Sequence, residues 1–588
     1  MGRINVFMRK MLKKIKKLVL CIKQYGTVQG WRYIRRKYQT IDKEYKEWFE
    51  FHKIDVEMLD NQKKERFLFE PLISILVPVY NTPTLFLKEM LMSVCSQTYG
   101  NWELCVANAN PDNRIVEEIL ESFAIKDDRI KILKLQNNLG IAQNTNAILQ
   151  MANGDYIGLL DHDDMLAPDA LYQVVKELNQ ENVPEIIYSD EDKITTDSQE
   201  HFQPHFKPDF NLDLLRSNNY ICHFFVVKKG LIDDIGGFHE QYNGAQDYDL
   251  ILRCVEKTER ISHIPQVLYH WRIHDASTAD NPASKIYAYE AGKRAIQEHL
   301  NRSGEKGSVE NSSDLGFYHV KYELMGTSLI SIIIVYENNM KALKNCIRSL
   351  KSSIYHSYEI ILMVSDNQKE NFSKRLENVS DSNLKLYFYK KDESWSEIIN
   401  QAVEFSNGEY ILLLSQMTKM KNKTCIEELI CNCQRKHVGV VGAKLYYTNN
   451  KIRYAGVVVK GDGSIERVFR GFPNYYVGYM HRESLQQNLS AVSEECMMIK
   501  KEVFEEVGGM DASLGETYAA IDFCLKVRRQ GFLIVFNPYA ELYYFKNRSK
   551  EHFFSQNDID FMKIRWKGFL EKGDPSYNPN LGENYTIK

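Results

Sequence analysis

Short apolar runs alternate with amphipathic stretches along most of this chain. "LISILVPVY" (residues 72–80) is a continuous apolar run, the pattern of a strand covered on both faces in a parallel sheet. A helical pattern follows from Thr84 to Ser96, and "WELCVA" (102–107) then reads as a second strand. A helix around 115–123 leads into the strand "IKILKL" (130–135), and a helix over 141–152 into the strand "DYIGLL" (155–160). The order βαβαβαβ predicts an α/β fold: a Rossmann-like, doubly wound, mostly parallel sheet with helices on both faces. Sheets of this kind bind nucleotides and phosphates beyond the carboxyl ends of their strands.

The pattern is written twice. "ISILVPVYN" at Ile73 matches "ISIIIVYEN" at Ile330, "NGDYIGLL" at Asn153 matches "NGEYILLL" at Asn407, and "KKGLIDDIGGF" at Lys228 matches "KKEVFEEVGGM" at Lys500. Constant order with drifting spacing marks two copies of one domain. The polar, Gly- and Ser-rich stretch at 301–314 suits a connection between them. The expected organisation is a basic helical region over 1–70, a first domain over 71–304, a linker over 305–328, and a second domain with a C-terminal extension over 329–588.

Charge changes the picture only at the N-terminus. A net charge of −3 over 588 residues gives no electrostatic case for a nucleic-acid partner, yet residues 1–37 hold twelve Lys and Arg and no acid. Residues 4–26 place Ile4, Phe7, Met11, Ile15, Leu18 and Ile22 on one helical face, with Lys13, Lys14, Lys16 and Lys17 over the rest. Such a helix either lies on an anionic membrane surface or packs on the adjoining domain or a second copy of the chain, a homo-oligomer. The eleven cysteines have no C-x-x-C spacing, which fits scattered core thiols in a reducing compartment. No apolar run approaches the ~18 residues of a membrane span. The expectation is a cytoplasmic protein, peripheral on the inner face of the plasma membrane.

The two copies differ in their chemistry. The first carries Asp161, Asp163 and Asp164 after its fourth strand, where the second has Ser415, Met417 and Thr418. Three carboxylates in four residues repel one another unless compensated, and a hard divalent cation such as Mg²⁺ or Mn²⁺ compensates them. An acidic surface turn feeding a helix is the alternative. Asp247 and Asp249 open another helical pattern in "GAQDYDLILR"; the second copy keeps the latter as Asp522 and replaces the former by Ala520. That contrast makes Asp249 structural and Asp247 the candidate general base. In "YHWRIHDAST", His270, Arg272 and His274 could ligate metal or contact phosphates, and Tyr544 is expected at the His270 position of the second copy.

Taken together, "PVYN" (78–81), "NNLGIAQNTN" (137–146), "DHDD" (161–164), "SDEDK" (189–193), "GGF" (236–238) and "QDYD" (246–249) resemble the family 2 glycosyltransferases of the GT-A fold. The resemblance covers both copies and implies inverting transfer of a hexosyl or deoxyhexosyl group from a nucleotide diphosphosugar, with Mn²⁺ or Mg²⁺ as cofactor. By the same resemblance Asp161, Asp163 and His274 would hold the metal, and Asp247 would activate the acceptor hydroxyl. Pro78, Tyr80, Asn81, Asn108, Asn138, Gly140, Asn144, Asp161, His162 and Arg272 would contact the nucleotide sugar. Asn108 stands where the family usually has an acid on the nucleobase. The acceptor implied is a glycan or a lipid-linked sugar in capsule, O-antigen or cell-wall polysaccharide synthesis, with the second copy holding acceptor or partner. A two-site polysaccharide polymerase and a non-enzymatic glycan-binding or scaffold protein are the alternatives.

Overall fold

The computed structural model describes residues 41–274, 286–369, 372, 383–545 and 555–588. The amphipathic segment at 4–26 lies outside them. The first sheet comprises β1 (Ile73–Val79), β2 (Trp102–Asn108), β3 (Ile130–Lys134), β4 (Tyr156–Leu159), β5 (Met165–Leu166), β6 (Ile186–Ile194), β7 (His201–His205), β8 (Phe225–Lys228) and β9 (Ile261–Arg272). Its order is β3-β2-β1-β4-β8-β6-β9-β5, with β7 beside β6. β1 is buried along nearly its whole length and runs parallel to both β2 and β4, Ile73 registering with Trp102 and Tyr156. The parallel half therefore matches the continuous apolar runs of the sequence, while β8 inserts antiparallel between β4 and β6.

A hairpin of β10 (Gly307–Asn311) and β11 (Tyr318–Tyr322) leads to the second sheet. That sheet comprises β12 (Ile330–Val335), β13 (Tyr358–Ser365), β14 (Leu384–Tyr389), β15 (Tyr410–Leu414), β16 (Thr418–Met420), β17 (Val438–Tyr447), β18 (Ile452–Tyr454), β21 (Gln487–Asn488), β22 (Cys496–Lys500) and β23 (Leu533–Tyr544), with the separate pair β19 (Val457–Val459) and β20 (Ile465–Arg467). The order β14-β13-β12-β15-β22-β17-β23-β16 repeats the first sheet strand for strand.

The duplicated Asn-Gly explains itself in the packing. In the first module Glu103 on β2 accepts from the Ser74 hydroxyl and from the Asn153 backbone N–H (both 2.5 Å), and Ser74 Oγ accepts from Gly154 N–H (2.8 Å). In the second, Glu359 accepts from Ser331 and from Asn407 N–H (both 2.7 Å), and Ser331 Oγ accepts from Gly408 N–H (2.9 Å). A Cβ on Gly154 would sit 2.5 Å from Ser74 Oγ, and one on Gly408 2.6 Å from the Ser331 nitrogen. The shared phrase builds the floor of the fold.

Register corrects one sequence expectation. Met165 pairs with His270 across β5 and β9, and Lys419 pairs with Tyr543 across β16 and β23. Met165 and Lys419 hold the same place in the repeated phrase, so Tyr543, not Tyr544, stands where His270 does. A shift of one residue in a strand moves a side chain to the opposite face.

The modules are fused rather than strung together. One hydrophobic core includes Leu76, Ile157 and Val227 of the first and Ile332, Leu412 and Ile499 of the second. Asn211 donates to the Asn488 carbonyl (2.7 Å), Arg435 pairs with Asp213 (2.7 Å) and Glu305 (3.0 Å), and Asn578 donates to Asp190 (2.8 Å). Among the described residues no helix is long and apolar enough to cross a membrane.

Candidate active site

Immediately after β4 the chain carries three carboxylates over the carboxyl ends of β1 and β4. Asp163 Oδ2 lies 2.7 Å from His274 Nε2, two residues past β9. Asp164 is buried and holds the turn, accepting from the Tyr269 hydroxyl (2.6 Å) and the Arg272 backbone N–H (2.8 Å). Burial, reinforced by Asp163 and Asp161, pushes its carboxyl well above the usual range. Asp161 keeps 49% of its side chain exposed. Loss of hydration raises its carboxyl too; the charge of His223 opposes the rise and those of Asp163 and Asp247 add to it. Asp163 and His274 offer an oxygen and a nitrogen donor in contact with each other, chemistry that suits a divalent ion such as Mn²⁺; among the described residues, the acid and histidine ligand atoms that all converge within 4.8 Å are those of Asp192, His201 and His270.

His223, just before β8, was not anticipated. Its Nε2 is 3.9 Å from Asp161 Oδ2 and its Nδ1 3.3 Å from Glu191 Oε2. Burial alone would lower this imidazole, but the hydrogen bond and charge of Glu191, with Asp161 and Asp164 beyond, push it up to about 9. Burial would raise Glu191 in turn; the Lys207 ammonium (3.4 Å) and hydrogen bonds from His205 and His223 hold it well below its ordinary value. The available signals are Lys207, set between Phe206 and Pro208 in "HFKPDF", and His223 at the head of an apolar strand.

Asp247 opens the helix Gln246–Val255, where carboxylates favour the positive N-terminal end, and its Oδ2 accepts from Asn219 Nδ2 (2.9 Å). Asp249, two residues on, turns inward: it is buried and pairs with Arg253 (2.6 Å). The helix thus separates a half-buried acid from a structural one.

The loops expected to meet the nucleotide behave differently from one another. Pro78 is half-buried in β1, Tyr80 is 46% exposed, and Asn81 takes a left-handed φ of +52° while accepting from Asn110. Asn108 is buried, its amide oxygen accepting from the Asn110 backbone N–H (3.2 Å), so in this conformation it shapes its own loop. Asn138 accepts from Gly140 N–H and Asn144 Nδ2 (both 2.9 Å), and buried Asn144 accepts from Leu139 N–H (3.1 Å). Gly140 starts the helix Ile141–Leu149 at φ +89°, where a Cβ would meet Asn243 Nδ2 at 2.9 Å. Asn243 Oδ1 accepts from Ala142 N–H (3.1 Å), which docks this loop on the turn that leads to Asp247. His162 is half-buried, its Nδ1 3.7 Å from Asp163.

The three basic residues near the end of β9 part company. Only His274 meets the acids. Arg272 is fully buried: it donates to the Asp163 carbonyl (2.7 Å) and to Ser198, pairs with Glu89 (2.7 Å), and lies over the Phe86 ring. It braces the acidic turn from behind instead of offering a free cation to phosphate. His270 Nδ1 bonds to Asp192 Oδ1 (2.6 Å), and Asp192 Oδ2 meets His201 and the Tyr45 hydroxyl (both 2.7 Å). Phe49 stacks on His201, so this cluster fastens the helix Ile41–His52 to the module.

In the second module the corresponding place is filled with protein. Val227 pairs with Ile157 and Ile499 with Ile411, which sets Glu495 at the His223 position. Glu495 forms a bidentate pair with buried Arg453, whose guanidinium lies 3.9 Å over the Tyr544 ring, while Arg467 pairs with Glu494 (2.9 Å). Met417 and Ala520 are buried. Arg453 and Arg467 come from the β18–β20 segment between β17 and β22.

Over 87% of its length and 58% of the relative's, the chain is 38% identical to an uncharacterized protein of Sinorhizobium fredii. It is 32% identical to the O-antigen biosynthesis protein RfbC of Myxococcus xanthus, over 87% of this chain and 40% of that one. The chain thus spans about half the length of these curated relatives. Among solved structures it is similar to S. aureus TarS 1-349 in complex with UDP-GlcNAc, at 19% identity and a TM-score of 0.33, covering 39% of this chain and 66% of that one. The sequence model of glycosyl transferase family 2 matches residues 74–236 and 331–508, one stretch in each module and more than half of the chain; the protein belongs to that family.

Proposed function

We propose that the first module is a metal-dependent inverting glycosyltransferase, moving a hexosyl or deoxyhexosyl group from a nucleotide diphosphosugar to a glycan or lipid-linked acceptor in surface-polysaccharide synthesis. The observation that carries this reading is the meeting of Asp163 and His274, beside Asp161 and within electrostatic reach of Asp247, at the carboxyl edge of the first sheet. The name of the Myxococcus relative supports the pathway. Asp161, Asp163 and His274 would hold Mn²⁺ or Mg²⁺. Such an ion, when bound, offsets the negative charge of a departing diphosphate.

The residues of the chain divide the remaining work. Asp247, oriented by Asn219, takes the proton of the acceptor hydroxyl. The hydroxyl oxygen bonds to the anomeric carbon from the face opposite the diphosphate; the carbon–oxygen bond to the diphosphate breaks, its electron pair leaving with the nucleoside diphosphate, and configuration inverts. His223 faces Asp161 with positive charge and favours its ionised form. The second module lacks the acids for a second transfer, and we assign it to holding acceptor or partner.

Calorimetric titration of nucleoside diphosphates into the full chain with and without Mn²⁺ tests the assignment. Metal-dependent binding that falls at least tenfold in Asp163→Asn and persists in Asp247→Asn supports it. Absence of binding to any nucleotide would favour the non-enzymatic glycan-binding alternative.

A further inference from the structure

A cavity of about 540 Å³ lies between the β10–β11 hairpin and the second sheet. This is within the ~300–1,000 Å³ range of small-molecule sites. It contains none of Ser415, Met417, Glu495 or Ala520, and so is no remnant of a donor cleft. Its counterpart in the first module, beneath the helix Ile41–His52, is bounded by Pro168, Gln266 and Leu268. Strand register puts Asn422, Tyr539 and Glu541 at those positions in the second. The same crevice has become polar.

Three buried polar atoms of this cavity have no hydrogen-bond partner: Asn422 Oδ1, Tyr539 Oη and His319 Nε2. His319 is 6% exposed, and its Nε2 stands 3.6 Å from Glu428, beyond hydrogen-bonding reach. Unpaired buried polar atoms keep their desolvation cost uncompensated, so a ligand that supplies partners is favoured. The acids in the wall already face cations or imidazoles: Glu541 pairs with Lys421 (2.7 Å), Glu310 with Lys321 (2.8 Å) and Glu483 with Lys444, while Asp314 faces His481 and Glu428 faces His319 (both 3.6 Å). A charged ligand would have to break these pairs. A neutral one bearing hydroxyl groups would not. His319 and Tyr539 stack face to face with ring centroids 3.4 Å apart, and Tyr475, 43% exposed, adds aromatic surface for the C–H face of a pyranose.

We infer that this cavity is a carbohydrate-binding subsite that takes a neutral, hydroxyl-rich stretch of the glycan. The inference rests on the reading that the chain builds a glycan, and gives the second module its part in that task.

The test applies the labelled full chain to a printed array of neutral, amino-sugar and uronic-acid oligosaccharides. Binding to neutral members, weakened at least tenfold in both Asn422→Ala and Tyr539→Phe, is the expected result. Thermal unfolding of each variant separates lost binding from lost folding. Failure to retain any neutral member, retention insensitive to both cavity variants, or preference for uronic-acid glycans would overturn the inference. Loss in Asp163→Asn alone would do so as well, by placing the glycan in the first module. Mn²⁺-dependent nucleotide binding, measured on the same preparation, reports separately on the transferase reading.

Discussion

In the reaction proposed above, Asp163 and Asp247 make separable demands. Replacing Asp247 by Asn keeps the size of the side chain and removes the proposed proton acceptor. Transfer is expected to fall by about 10²–10⁴-fold while nucleotide binding persists, as read by product formation beside calorimetry. His274→Ala is expected to weaken Mn²⁺-dependent nucleotide binding at least tenfold and to leave metal-free thermal stability near that of the wild type. Glu359 tests the scaffold alone. Burial would raise its carboxyl, yet hydrogen bonds from Lys385, Ser331 and Asn407 lower it from 4.5 to about 2. Because the folded value is depressed, its contribution to stability is complete above about pH 4.5 and is lost as the pH falls through 2. Urea titrations of the wild type and Glu359→Gln should therefore differ most near neutral pH and converge in acid. A gap that widens on acidification would refute this account.

The elements show what could be read from the chain and what could not. The parallel strands and the duplication were legible because buried strands write themselves as apolar runs, and because one phrase recurs with its Asn-Gly intact. The acids at the end of β4 were legible for the same reason: the second copy preserves the frame and changes only the side chains. Asn108 and Arg272 were not. Both are polar residues in motif positions, and only the folded chain shows that Asn110 occupies one and that Asp163, Ser198 and Glu89 surround the other. His223 depends on Glu191 and Lys207, partners that a local reading cannot bring together. The repeated phrase makes a prediction of its own. Gly154→Ala and Gly408→Ala each drive a methyl group into backbone and hydroxyl atoms, and each should cost about 1–3 kcal/mol in urea unfolding. Similar losses at the two sites would mark the glycines as fold determinants, since only one lies in a module with an acidic site.

For the molecule as a whole, the contacts between modules imply a single cooperative unit. Arg435 is buried between Asp213 and Glu305, and Arg435→Ala would leave those carboxylates without their shared cation, at a cost of about 3–5 kcal/mol. Scanning calorimetry should show one transition for the wild type and one, at lower temperature, for the variant; two resolved transitions in the wild type would contradict the fused core. The bond from Asn578 to Asp190 carries a temporal consequence. Asp190 lies next in sequence to Glu191, which positions His223, and its partner is 388 residues away. At ~5–20 residues per second, a ribosome exposes that partner about 20–80 s after the strand it completes. During synthesis the first module must wait, one wall unfinished, with Asp190 still lacking one of its donors.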